Sequence, residues 1–343
     1  MNIGWKEIKR NKLKFFIIGS IVFLVSLLTF IISGLASGLS QDNAALIKDM
    51  PDGEFYMTEE AEETYTFSKI DKEVQTEILT EQKDAVAFSI QMGFFHDDKD
   101  KQRSVAFVTS TESTLFETVH NGEIILDQSL EKEGIRIGDR LTSEQFSGEF
   151  IVKGFVNQKK FSHAPVAYIS NENFQEMYRT ESMQFLFLPS GTINEDLGLQ
   201  VFNKDELLQT LPSYRAEQMS LNMIIAFLII ISGLLFAIFF YMMNVQKIGL
   251  YGILKAIGIK TRTLFTMMWT QMIIITIIAL ALSTICSQLF QAFGPSEMPF
   301  YLTTEATIQL SIIFFVVGFI GATISALQIK KVEPLRAIQQ GEM

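Results

Sequence analysis

Residues 15–39 read FFIIGSIVFLVSLLTFIISGLASGL, 25 residues with no Lys, Arg, Asp or Glu. A helix crosses a bilayer with roughly 20 mostly apolar residues, so this run is long enough to span. Three more runs pass the same test: 221–245, 264–290 and 307–329. Small residues at Ala36 and Ser37 resemble a signal cleavage site, but the run stays apolar well past the length of a signal core, so an uncleaved span is expected. The composition agrees. With 343 residues, 48% hydrophobic, 30 Phe, 15 Met and a mean hydropathy of +0.25, part of the chain belongs in lipid. The single Cys, Cys286, allows no internal disulfide and no multi-cysteine metal site. A net charge of −10 argues against nucleic acid as a partner.

The spans are unevenly spaced: one, then about 180 residues of ordinary soluble composition, then three. The expected fold class is therefore a membrane protein with four transmembrane α-helices (1+3) and an α+β extracytoplasmic domain inserted between helices 1 and 2. The segments are a cytoplasmic amino-terminal stretch 1–14, span one 15–39, the inserted domain with helical stalks 40–220, span two 221–245, a cytoplasmic connection 246–263, span three 264–290, an outer loop 291–306, span four 307–329 and a cytoplasmic tail 330–343. Charge assigns the sides. The stretch before span one, the connection and the tail together hold 12 basic against 3 acidic residues. The inserted domain holds 33 acidic against 16 basic residues, and the outer loop has two Glu and no Lys or Arg. The positive-inside rule then places both termini and the connection in the cytoplasm and the large domain outside.

Within the domain, short runs rich in β-branched and aromatic residues at 85–90, 104–109, 123–126, 149–155 and 165–169 predict strands, and 127–134 and 171–178 predict short helices. The stretch 40–50 predicts a helical stalk ended by Pro51-Asp52-Gly53, and 61–83 surface helix or loop. In 134–141, GIRIGDRL, the alternation of Ile135, Ile137 and Leu141 predicts an inward strand face turning at Gly138-Asp139. A second stalk over 204–219 is predicted to be interrupted at Pro212.

The connection 246–262 reads QKIGLYGILKAIGIKTR. Leu250, Leu254 and Ile257 fall at i, i+4 and i+7 on one helical face, with Tyr251 beside them; Lys247 and Lys255 keep the helix soluble, and Gly258 is placed to end it in a left-handed cap. Such a helix either lies on anionic lipid or docks on a cytoplasmic partner that moves it. Gly258-Ile259-Lys260-Thr261 is not a phosphate loop, since Lys does not follow the second Gly of a Gly-rich turn. ATP chemistry would have to come from another chain.

This order of segments, together with IRIGDRL (135–141), SYRAEQMSLNMII (213–225), FFYMMNVQKIGLYGILKAIGIK (239–260), MPFYLTT (298–304) and KVEPLRAI (331–338), resembles the FtsX/MacB-class ABC transporter permeases, and within them the HrtB-type haem efflux permeases. The resemblance covers essentially the whole chain. It implies a non-catalytic permease homodimer in the bacterial cell membrane, paired with two copies of a cytoplasmic ATPase that binds the ATP. It implies no permanently bound cofactor, haem or a similar porphyrin as substrate, and mechanotransmission from coupling helix to stalks that expels substrate from the outer leaflet. The absence of charges within the four runs agrees, because charged side chains usually mark an aqueous pathway. For haem, Tyr214 suits iron, Arg215 a propionate, and Met219 and His163 are further ligand types. In the family segment around His163 a Tyr-Ala-His is expected; Phe161 stands where that Tyr would be, so ligation there is lost or moved. Met50, Tyr56 and Met57 are weaker candidates, and His96 and His120 have no partner at metal spacing. Two other functions fit the same frame: export of an antimicrobial peptide or lipid-like toxin, and transmembrane signalling to a cell-wall hydrolase.

Overall fold

A computed structural model describes residues 3–157, 159–193, 197–295 and 298–330. The segment KVEPLRAI, 331–338, lies outside the described residues. The chain divides into two compact units, 1–38 with 219–343, and 39–218.

The membrane unit contains α1 (Ile3–Arg10), the first part of α2 (Lys12–Lys48), most of α7 (Pro212–Val245), α8 (Ile248–Ala256), α9 (Thr261–Phe293) and α10 (Thr304–Lys330). Four of these, α2, α7, α9 and α10, are long and apolar enough to span a bilayer. Only 17% of the most apolar window of α7 is buried, so most of its surface is left for lipid or another chain. Phe15, Ile18, Val22, Phe236, Phe240, Met268 and Met272 form the inner core.

Helices in lipid gain no hydrophobic driving force from one another and associate through close packing and hydrogen bonds. Both are present. A Cβ at Gly321 would sit 2.9 Å from the Gly233 carbonyl oxygen and 3.0 Å from the Ala237 nitrogen, so α10 meets α7 backbone to backbone. Ser325 Oγ donates to the Ala237 carbonyl at 2.6 Å, Trp269 Nε1 to Thr323 Oγ1 at 3.1 Å, and Ser26 and Ser283 share a hydrogen bond of 2.6 Å. Gly34 and Gly38 of α2 receive Phe300 and Pro299 of the connection between α9 and α10, and Tyr301 N–H donates to the Gly34 carbonyl at 2.9 Å. The space at Gly34, Gly38, Gly233 and Gly321 is thus filled from within the chain.

The second unit is built on a ten-stranded sheet among the described residues. Its strands are β1 (Glu54–Thr58), β2 (Val86–His96), β3 (Gln102–Ser110), β4 (Glu123–Asp127), β5 (Arg140–Ser143), β6 (Phe146–Val156), β7 (Lys160–Phe161), β8 (Ala164–Ile169), β9 (Phe185–Leu188) and β10 (Leu199–Asn203). They are ordered β10-β1-β9-β2-β3-β8-β4-β6-β5, with β7 added to β8. The 11-residue β2 pairs with β9 at its start and meets β5 at its end through His96 and Thr142, so the far half of the sheet curls back on itself. Short helices α3 (Lys72–Glu81), α4 (Gln128–Lys132), α5 (Asn171–Tyr178) and α6 (Lys204–Thr210) cover it. Phe55, Phe88, Phe185 and Phe187 stack in the core nearest α2.

One detail departs from the sequence pattern. Ile135 and Leu141 are buried, but Ile137 is 67% exposed, because Gly134 and Gly138 both take positive φ and carry the chain through a turn before β5 begins at Arg140. The second stalk breaks where expected: α6 ends at Thr210, Leu211 is extended, and Pro212 opens α7, a position where its missing N–H costs no helical bond.

Candidate functional site

The end of α2 and the start of α7 carry most of the predicted ligand types. Helix α2 breaks at Ala44, whose φ of −142° and ψ of 22° are not helical. The break frees the Asn43 carbonyl, which accepts from Ser162 N–H at 2.7 Å. Ser162 and His163 are the two-residue turn between β7 and β8, and both have positive φ, as a tight primed hairpin turn requires. The hairpin thereby presents His163 to α7.

Asn43 is fully buried. Its Nδ2 lies 3.2 Å from Glu217 Oε2 and 3.2 Å from His163 Nε2, while Ser213 Oγ donates to its Oδ1 at 3.1 Å. His163 Nε2 is 2.7 Å from Glu217 Oε1. A carboxylate only accepts, so the imidazole proton sits on Nε2 and points at Glu217, and the Asn43 amide also donates to Glu217. Two donors therefore converge on one carboxylate, and three separate elements, α2, the β7–β8 turn and α7, are tied through it.

Beside this node Lys48 Nζ donates to Ser40 Oγ at 2.8 Å, and Ser40 Oγ to the Tyr214 hydroxyl at 3.3 Å. Lys160 pairs with Asp42 and Lys159 with Asp49, each at 2.9 Å. Tyr214 is half-buried against the core and Arg215 is exposed. Met219, five residues on along α7, is 62% exposed and belongs to the membrane unit. His163 and Tyr214 thus enter through different bonds, one to Glu217 and one to Ser40. Met50, Tyr56 and Met57 are core residues. The Tyr56 hydroxyl donates to Glu54 and accepts from Ile193 N–H at 3.1 Å; burial, then the Glu54 bond, pushes its pKa up to about 12, which disfavours an iron-binding phenolate there. No group of three His, Cys, Asp or Glu able to hold a metal occurs among the described residues.

Asn43, Ser213 and Glu217 were not singled out from sequence. The readable signal was Glu217, the only acid in 207–220, immediately before span two.

A second candidate is α8. Gly258 has a φ of 91°, its N–H donates to the Lys255 carbonyl at 3.0 Å and Ile259 N–H to Leu254 at 2.9 Å, a Schellman cap. Leu250, Ile253 and Ile257 are 48%, 51% and 70% exposed, an uncovered apolar face. Ile253 takes the place that periodicity gave to Leu254, which packs against the core. Tyr251 points inward and donates to Asn244 Oδ1 at 3.1 Å; burial, helped by Glu7, pushes its phenol pKa well up. It seats the helix and cannot be part of its exposed face. Lys247 is likewise turned inward, paired with Glu7.

Residues 222–334 match the model of the FtsX-like permease C-terminal family. A putative hemin transport system permease protein HrtB from Staphylococcus haemolyticus is 31% identical over 98% of this chain and 99% of its own length. The protein of the same description from Staphylococcus epidermidis is 28% identical over the whole of both chains. The periplasmic region of MacB from Actinobacillus actinomycetemcomitans aligns with 46% of this chain and 91% of its own at a TM-score of 0.35 and 12% identity.

Proposed function

We propose, for a chain that belongs to the HrtB-type FtsX-like permeases, membrane subunits of ABC transport systems, that it exports haem or a closely similar porphyrin. The carrying observation is the 31% identity that runs through nearly the whole of both chains to a permease named for hemin transport. Two copies of the chain work with two copies of a cytoplasmic ATPase. The ATPase engages the exposed Leu250, Ile253 and Ile257 face of α8, with Lys255 at its flank and Gly258 fixing its end. ATP binding draws the two coupling helices together, and the movement passes along α7 and α2.

Haem enters from the outer leaflet near the start of α7. Tyr214 binds the iron, Arg215 pairs with a propionate, and Met219 extends the apolar contact. His163 joins only when it leaves Glu217, so the node of Asn43, His163 and Glu217 works as a catch between the stalks. The absence of charged residues from the four apolar runs supports a route that avoids a central aqueous channel.

Growth on a haemin gradient tests the reading. A deletion strain should fail at concentrations the parent tolerates, and purified protein should shift the Soret band of added haemin, a shift weakened by Tyr214→Phe with Met219→Leu. Normal growth of the deletion strain on haemin would overturn it, and an accompanying cell-shape defect would move the reading to hydrolase signalling.

A further inference from the structure

The amino-terminal helix α1 carries one acidic residue, Glu7, in a segment otherwise rich in Lys and Arg. A helix that only lies on anionic lipid has no use for it. Glu7 turns inward, and its side chain is 12% exposed. One carboxylate oxygen pairs with Lys247, itself 14% exposed, and the other accepts from Gln271 Nε2 at 2.6 Å. Gln271 is buried inside α9. The carboxylate therefore bridges three elements: α1, the entry to α8, and span three.

The link between α7 and α8 is two residues long, Gln246 and Lys247, and the amino-terminal segment holds both. Lys14 Nζ donates to Gln246 Oε1 at 2.5 Å, while Glu7 holds Lys247, whose ammonium also lies 6.0 Å from the Phe15 ring centre. Behind the link, Tyr251 donates to Asn244, and Asn244 Nδ2 lies 3.5 Å from Met268 Sδ of α9. A short helix pushed at its exposed face would swing on a two-residue link unless that link were fixed. Largely buried charges tolerate this location only while paired, which makes the arrangement all-or-none.

We propose that α1 is part of the transmission element, and that Glu7 is a positioning residue clamping the α7–α8 link to span three so that displacement of α8 is delivered to the spans. This rests on the coupling role given to α8 above.

The test uses the full chain reconstituted with its ATPase in lipid, comparing Glu7→Gln, Glu7→Lys, Lys247→Glu and the charge swap Glu7→Lys with Lys247→Glu. Haemin moved per ATP hydrolysed should fall about tenfold in Glu7→Gln while the ATPase still co-purifies, and the swap should recover to within about threefold of the parent. Nitroxides on Ala256→Cys and Thr266→Cys, in a Cys286→Ser background, give a readout that needs no haem. Their distance distribution should be narrow in the parent, broad in Glu7→Gln and narrow again in the swap. An unchanged transport ratio in Glu7→Gln, or a swap as defective as either single reversal, overturns the clamp. If the parent moves no haemin, the substrate reading fails and the spin-label distances alone decide the clamp.

Discussion

At the residue scale the inserted unit turns on Asn43, which has no charge and no reactive group. Its amide donates to Glu217, its side-chain oxygen accepts from Ser213 and its backbone carbonyl accepts from Ser162, so one buried side chain fixes the relation of α2, α7 and the β7–β8 turn. Asn43→Asp keeps the shape and the Ser213 bond but removes the amide donor to Glu217 and sets a second carboxylate 3.2 Å from the first, leaving the His163 Nε2–H to serve both. Losing a donor to a buried acceptor costs about 1–3 kcal/mol, and thermal unfolding of the detergent-solubilised chain should show a loss of that size. Adding Glu217→Gln supplies an amide donor facing the new carboxylate and should recover much of it. An Asn43→Asp protein as stable as the parent would mean that the node has no structural weight.

At the scale of elements, the crossing of α7 and α10 depends on Gly321, which faces the backbone of α7, and on Gly233, whose missing side chain leaves room for Val317 Cγ1. A side chain at Gly321 would meet the Gly233 carbonyl, the Ala237 nitrogen and Phe236 Cβ within 3.1 Å, none of which can rotate away. Gly321→Leu should therefore abolish accumulation of monodisperse protein in the membrane fraction, read by size exclusion. Gly249→Ala in α8 meets nothing within 4 Å and should instead be neutral or raise stability, by up to about 1 kcal/mol. The spans were legible in sequence because 25 or so uninterrupted apolar residues admit no other element. Strands β1, β9 and β10 were not. Phe185–Leu188 is a four-residue apolar run that could equally be buried helix, and its partners β1 and β2 come from more than 80 residues upstream. The same non-locality hid half the node. Tyr214 and His163 are conspicuous by residue type, but Asn43 acquires its meaning only from partners 120 and 174 residues away.

At the scale of the whole molecule the informative quantity is how charge divides along the chain. The inserted domain has about twice as many acidic as basic residues, whereas the connection 246–263 has four basic residues and no acid. Basic flanks are retained on the cytoplasmic side during insertion, while acidic residues count for little, so the connection and the amino-terminal segment decide the orientation together. Their signs agree, and Glu7 subtracts only one charge from five. The single Cys in the sequence, Cys286, lies within the long apolar helix α9, and replacing it by Ser makes single introduced cysteines clean reporters. Glu60→Cys, exposed in the inserted domain, should react with a membrane-impermeant maleimide in intact cells, and Lys260→Cys, exposed beyond α8, only after permeabilisation. The opposite pattern would place α8 on the side without ATP, where no cytoplasmic ATPase could reach Leu250, Ile253 and Ile257. Export by mechanotransmission would then fail whatever the substrate, because the exposed apolar face of α8 and the stalk catch would have exchanged compartments with the machine that drives them.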